Sequence, residues 1–123
     1  MHEASIVEEM LEIADREVIL QGAQRINRIS LQIGVLSGVV PEALQFAFGS
    51  LSMGTLAEGA VLDIVRVPLT LRCDRCEGQW VGEHPGDLCP VCGAELPSIV
   101  AGQELKLLEL DLELMETPHE CDT

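Results

Sequence analysis

Cys73-Asp74-Arg75-Cys76-Glu77-Gly78-Gln79-Trp80-Val81-Gly82-Glu83-His84-Pro85-Gly86-Asp87-Leu88-Cys89-Pro90-Val91-Cys92 holds two Cys-x-x-Cys pairs, with the twelve residues Glu77 to Leu88 between them. A thiolate at each end of such a turn reaches a tetrahedral ion at about 2.3 Å, and two turns together close a four-sulfur site with no open position. A closed site is structural, and Zn(II) is the ion it suits. The competing readings are disulfides, which belong to oxidising compartments, and a redox-active pair, which normally stands alone at a helix start; neither accounts for two paired turns. Gly78, Gly86 and Gly93 fall where the turns and their connecting hairpin call for unusual backbone angles, and Pro90 stiffens the second turn. A segment of about thirty residues cannot bury enough surface to fold unaided, so the ion is expected to supply part of its folding energy. His84 lies between the pairs, either as an ordinary loop histidine or as a substitute ligand.

Working outward, the flanks read as a second, larger unit. Ile29, Leu31, Ile33 and Val35 alternate with Ser30 and Gln32, the mark of a strand with one wet face. Pro41 and Glu42 open a helix whose Leu44, Ala47, Phe48 and Leu51 form an apolar stripe ending near Gly54. Val61 to Val67 is a second strand, stopped by Pro68, and strand, helix, strand predicts a right-handed parallel crossover. Beyond the cysteines, Leu105 and Leu107 occupy one phase while Leu108, Leu110, Leu112 and Leu114 occupy the other, which a bulge near Leu107-Leu108 would reconcile. Toward the N-terminus, Ser5-Ile6-Val7-Glu8 has capping-box spacing, so a helix is expected just after the first three residues. Its buried face would carry Ile6, Met10, Ile13 and Val18, and Gln21-Gly22 would end it.

The expected fold is therefore α+β: a small mixed β-sheet of about three strands packed with two helices, with a zinc-ribbon domain inserted between strands. The larger domain takes residues 1–68 plus 100–116 and the ribbon 69–99, leaving 117–123 as a disordered tail that contains Pro118, His119 and Cys121.

Composition narrows the function classes. Mean hydropathy is +0.26 and 47% of the residues are apolar, which suits a packed globule. No run approaches the roughly 20 apolar residues of a membrane span, and His2, Glu3 and Glu8 stand where a secretory signal carries bases, so a soluble cytoplasmic protein is expected. Formal net charge is -14, with nine acids and five bases in residues 1–72 against twelve acids and two bases in 73–123. Phosphate backbones would repel such a surface, so nucleic acid is not an expected partner; metal cations and basic protein patches are, and solubility alone also accounts for the charge. The single lysine, Lys106, follows Leu105, so no phosphate-binding G-x-x-x-x-G-K-[ST] loop exists, and no nucleophile-base pair is identifiable; an enzyme is not expected.

Met1-His2-Glu3 gathers an amine, an imidazole and a carboxylate. With deprotonated backbone amides, these offer Ni(II) or Cu(II) a nitrogen-rich planar site. Glu3 has a second reading, as an acid that is favourable at a helix start without any metal.

Together with Leu36-Ser37-Gly38, Pro41-Glu42-Ala43-Leu44, the Cys-Pro-x-Cys-Gly ending and Gly102-x-Glu104-Leu105, these segments occur in the order found in the HypA family of nickel metallochaperones for [NiFe]-hydrogenase maturation, which the chain resembles over its full length. The resemblance implies transient Ni(II) cargo at Met1, His2 and Glu3, and structural Zn(II) on Cys73, Cys76, Cys89 and Cys92. It further implies two partners, the GTPase HypB and the hydrogenase large-subunit precursor. The alternative function is a zinc-ribbon protein-interaction module without nickel transfer.

Overall fold

A computed structural model describes residues 3–115. Helix α1 runs Glu3–Gln21, β1 Ala23–Gly34, α2 Pro41–Leu51, β2 Val61–Val67, β3 Thr70–Arg72, β4 Gln79–Val81, β5 Ser98–Ala101 and β6 Leu105–Leu114. The strands form two sheets, ordered β2-β1-β6 and β4-β3-β5.

The first sheet is mixed. Along β1 and β2 the partners advance together, from the Arg28–Asp63 ion pair to the Val35 amide on the Val67 carbonyl at 3.0 Å, so these strands are parallel. Toward β6 they run in opposite senses: the Gly34 amide meets the Glu104 carbonyl at 2.8 Å, whereas the Met115 amide meets the Gly22 carbonyl at 3.1 Å. The expected parallel crossover is thus present, with α2 as its helix. β1 starts six residues before the alternation expected from Ile29. Ala23, Ile26 and Ile29 are buried at intervals of three, and from Ile29 onward the alternation is one of residue type only: Ser30 is buried and Gln32 half-buried, so the wet face expected there is not open.

The chain divides into two compact units. Among the described residues, one comprises 3–30, 40–63 and 107–115 and holds both helices. Its core is Ile6, Val7, Met10, Ala14 and Val18 from α1, Ile26 and Ile29 from β1, Leu44 and Phe48 from α2, and Leu62. α1 begins at Glu3, so Ser5 lies inside the helix and the capping box expected there does not mark its start. Ile13 is only half-buried, and Val7 and Ala14 complete the inward stripe. α2 starts at Pro41 as expected: proline's fixed φ suits the first helical position, and Val40 precedes it in extended conformation.

The other unit comprises residues 31–39 and 64–106. Here the end of β1 passes so close to the 102–103 backbone that Gly34 has no room for a side chain. A Cβ on Gly34 would lie 2.6 Å from the Gln103 nitrogen and closer still to the Gly102 carbonyl. The close approach lets the Leu36 amide bond the Gly102 carbonyl at 2.7 Å.

Candidate metal centre

Short antiparallel strands carry the cysteines. β3 pairs with β4 through Leu71↔Trp80 and with β5 through Leu71↔Ile99, with an irregularity between Thr70 and Leu71. Leu71 at the middle of this sheet is fully buried, and Cys73 follows two residues later at the end of β3. Three-residue strands leave little periodicity in the sequence, which is why only the hairpin between the pairs was legible there.

The two turns repeat one hydrogen-bond pattern. The Cys73 amide bonds the Gly78 carbonyl at 2.8 Å and the Glu77 amide returns to the Cys73 carbonyl at 2.8 Å. In the second turn the Cys89 amide bonds the Ala94 carbonyl at 3.0 Å and the Gly93 amide returns to the Cys89 carbonyl at 2.9 Å. The equivalent fourth positions after the leading cysteines are Glu77 and Gly93, with φ of 66° and 74°. The unusual angle expected at Gly78 therefore falls one residue earlier, on a glutamate, and Gly86 does not adopt one either; Gly93 does. The sequence gives no sign of this at Glu77, because a side chain stands where glycine is the ordinary choice.

All four sulfurs lie within 4.8 Å of one another, with Cys73 and Cys92 3.5 Å apart and Cys76 and Cys89 3.6 Å apart. Backbone amides point at the leading sulfur of each pair: Cys76 N–H at the Cys73 sulfur (3.4 Å), Val91 N–H (3.4 Å) and Cys92 N–H (3.5 Å) at the Cys89 sulfur. Donors aimed at a sulfur favour its thiolate. The Cys92 amide, followed by that of Val91, accordingly brings the Cys89 thiol down to about 6, and the Cys76 amide lowers Cys73. Cys76 receives a lowering hydrogen bond from Gly78, but the neighbouring Cys89 and Cys73 sulfurs outweigh it and push the thiol up to about 11. Cys92 is raised in the same way, chiefly by Cys73 against the Ala94 amide. The amides thus favour the thiolate at Cys89 and Cys73, while the neighbouring sulfurs disfavour it at Cys76 and Cys92.

Side chains outside the sulfur set brace the turns. Asp74 accepts a forked bond from the Ser98 hydroxyl, its two oxygens at 3.0 and 2.8 Å, and one from Arg72 at 3.1 Å, which ties the first turn to β5. Asp87 accepts the Glu83 and His84 amides at 2.9 and 3.3 Å, closing the loop between the pairs. These bonds hold its carboxyl below the usual carboxylate range, that from Glu83 most of all. His84 is exposed in that loop and is not among the sulfur-site residues. Neither aspartate was singled out in the sequence, although Asp in a loop that turns on its own amides is a recognisable signal.

Of the first three residues, Met1 and His2 lie outside the described residues, as do residues 116–123 with His119 and Cys121. Glu3 opens α1, and its carboxylate accepts the Val40 amide at 3.3 Å, just ahead of α2. An anion beside those helix starts is favoured by their partial positive charge.

A two-helix α+β fold with a four-cysteine ribbon module is the class these observations define. The family model described as "Hydrogenase/urease nickel incorporation, metallochaperone, hypA" matches residues 1–112, and the chain belongs to this HypA family. Hydrogenase maturation factor HypA of Geobacter sulfurreducens is 44% identical over 113 residues, covering 92% of this chain and 100% of that protein. The factor of the same name from Acidithiobacillus ferrooxidans is 42% identical over 114 residues, again covering 92% and 100%. The solution structure of the Ni metallochaperone HypA from Helicobacter pylori superposes with a TM-score of 0.65 at 26% identity, covering 94% of this chain and 100% of that one. Among the described residues no helix is long and apolar enough to cross a membrane.

Proposed function

We propose that the protein binds Ni(II) through the Met1 amine, the His2 imidazole and Glu3, and passes it to the [NiFe]-hydrogenase large-subunit precursor in the cytoplasm, in cooperation with the GTPase HypB. The observation that carries this reading is the family match over residues 1–112, which takes in the first three residues and all four cysteines. In the same reading Cys73, Cys76, Cys89 and Cys92 hold Zn(II) permanently. Four sulfur donors with no open position suit a structural ion and leave no place for a reacting water. The ribbon, residues 69–99, is then a metal-dependent folding unit inserted in the nickel-binding domain.

The chemistry of the two sites fits the two tasks. Terminal amine, amide and imidazole ligands release nickel by stepwise exchange and must shed protons to bind it, so nickel affinity falls on acidification. His2→Ala is expected to abolish tight Ni(II) binding in calorimetric titration while zinc content stays at its wild-type value. An unchanged nickel titration would remove His2 from the site. A residue added before Met1 is expected to weaken nickel binding by displacing the amine, and equal affinity would exclude the amine as a ligand.

A further inference from the structure

A groove of about 620 Å³ in the helix-bearing unit lies between α1 and the last strand. Its helical wall is Ile13, Glu17 and Gln21, one line along α1 at four-residue spacing. The other wall is every residue from Leu107 to Leu112. One face of a strand presents alternate residues, so six consecutive ones mean that the groove runs along the backbone edge of β6. β6 ends its sheet, and among the described residues no strand pairs with that outer edge. The walls are about 12 Å of helix and about 20 Å of strand, room for an extended segment of about five residues.

The lining combines half-buried Ile13, Leu107, Leu110 and Leu112 with the carboxyl groups of Glu17, Glu109 and Asp111, and no Lys or Arg lines it. Glu109 and Asp111 feel the charge of Arg28, but that guanidinium is already bonded to Asp63, which is the main cause of its raised pKa. Asp63, Glu109 and Asp111 thus share one cation, on a chain of formal net charge -14. A second copy paired antiparallel along β6 would set rows of like acids against one another, which is unfavourable across strands. The chain's own residues 116–123 carry Glu116, Glu120 and Asp122 and meet the same repulsion.

We propose that the β6 edge beside α1 is a docking site for a partner protein's extended, basic segment, one that alternates Lys or Arg with aliphatic residues. The segment adds a strand to β6 through main-chain hydrogen bonds, its aliphatic side chains pack on Ile13 and the leucines, and its cations meet Glu17, Glu109 and Asp111. The same acids keep the edge from pairing with itself.

The test uses full-length, zinc-containing protein and the peptide acetyl-Lys-Val-Arg-Leu-Lys-Val-amide, followed by backbone amide NMR. Expected are saturable shifts confined to residues 107–112 and the Ile13, Glu17 and Gln21 turns, with slowed hydrogen exchange along β6. Affinity should fall roughly tenfold in the E109K/D111K variant and fall similarly in wild type at high salt. The salt arm needs no substitution, and an unchanged spectrum elsewhere shows that the variant is folded. Absence of shifts, shifts at another surface, or equal binding by a Glu-substituted or alternately N-methylated peptide would overturn the proposal. So would sedimentation showing that the edge is filled by a second copy.

Discussion

The helix-bearing unit and the cysteine ribbon are stabilised in different ways. The first buries apolar side chains from two helices and a mixed sheet, including Val7, Ile26, Ile29 and Leu44, all without measurable exposure. Between residues 73 and 101 the only buried apolar residues are Cys73 and Cys89, which belong to the sulfur cluster. Val81, Leu88, Val91 and Leu96 in the same stretch are more than half exposed. Hydrophobic burial holds one region; the ribbon buries Leu69 and Leu71 at and beside β3 but, from Cys73 onward, only its sulfurs, so a bound ion is expected to supply there what a core supplies elsewhere.

The largest expected effect breaks the ribbon alone. Removing metal with a strong chelator, or replacing Cys89 by Ser, should collapse the amide dispersion of residues 73–97 in NMR spectra while signals of α1 and α2 persist; loss of both sets together would show that the regions do not differ in this way. The protons displaced by metal sharpen the point. With Cys76 near 11 and Cys92 raised, binding at neutral pH must release at least those two protons, and below about 6 it must also release the one that Cys89 regains. Zinc affinity should therefore fall with falling pH and fall more steeply below about 6, a trend that calorimetry in buffers of different ionisation enthalpy can follow.

In the apolar unit, Leu44→Ala should cost about 2–5 kcal/mol in denaturant unfolding with zinc content unchanged. In the other unit, Gly34→Ala should cost about 1–3 kcal/mol, since the nearest atoms the added methyl meets are backbone atoms of Gly102 and Gln103. The smallest effect has the opposite sign. Glu77→Gly relieves a left-handed glutamate and should slow chelator-driven zinc loss, consistent with roughly 1 kcal/mol of relief, whereas Gly93→Ala at the matching position should speed it.

Legibility in the sequence follows the same division. The sulfur cluster was readable because metal chemistry fixes both ligand type and spacing, and Pro41, Val61 to Val67 and the leucine-rich last strand carried clear start signals or periodicities. The start of β1 was not, because its buried positions fall at intervals of three before Ile29 and nearly every position is covered after it. Ser5 misled for a related reason: its spacing to Glu8 matches a cap, but the helix gains its first turn from Glu3, whose carboxylate reaches the Val40 amide across 37 residues of sequence. A contact of that range leaves no local pattern. Glu77 and the bracing aspartates Asp74 and Asp87 were hidden likewise, since their roles depend on where the turns close.

The most direct measurement is optical and elemental together: titrate Ni(II) into untagged, zinc-loaded protein, record the thiolate-to-nickel charge-transfer region, and assay zinc retained on the chain. Tight nickel uptake without charge-transfer bands and with zinc unchanged is the expected result. Bands that grow as zinc is released would place nickel on the sulfurs and contradict it.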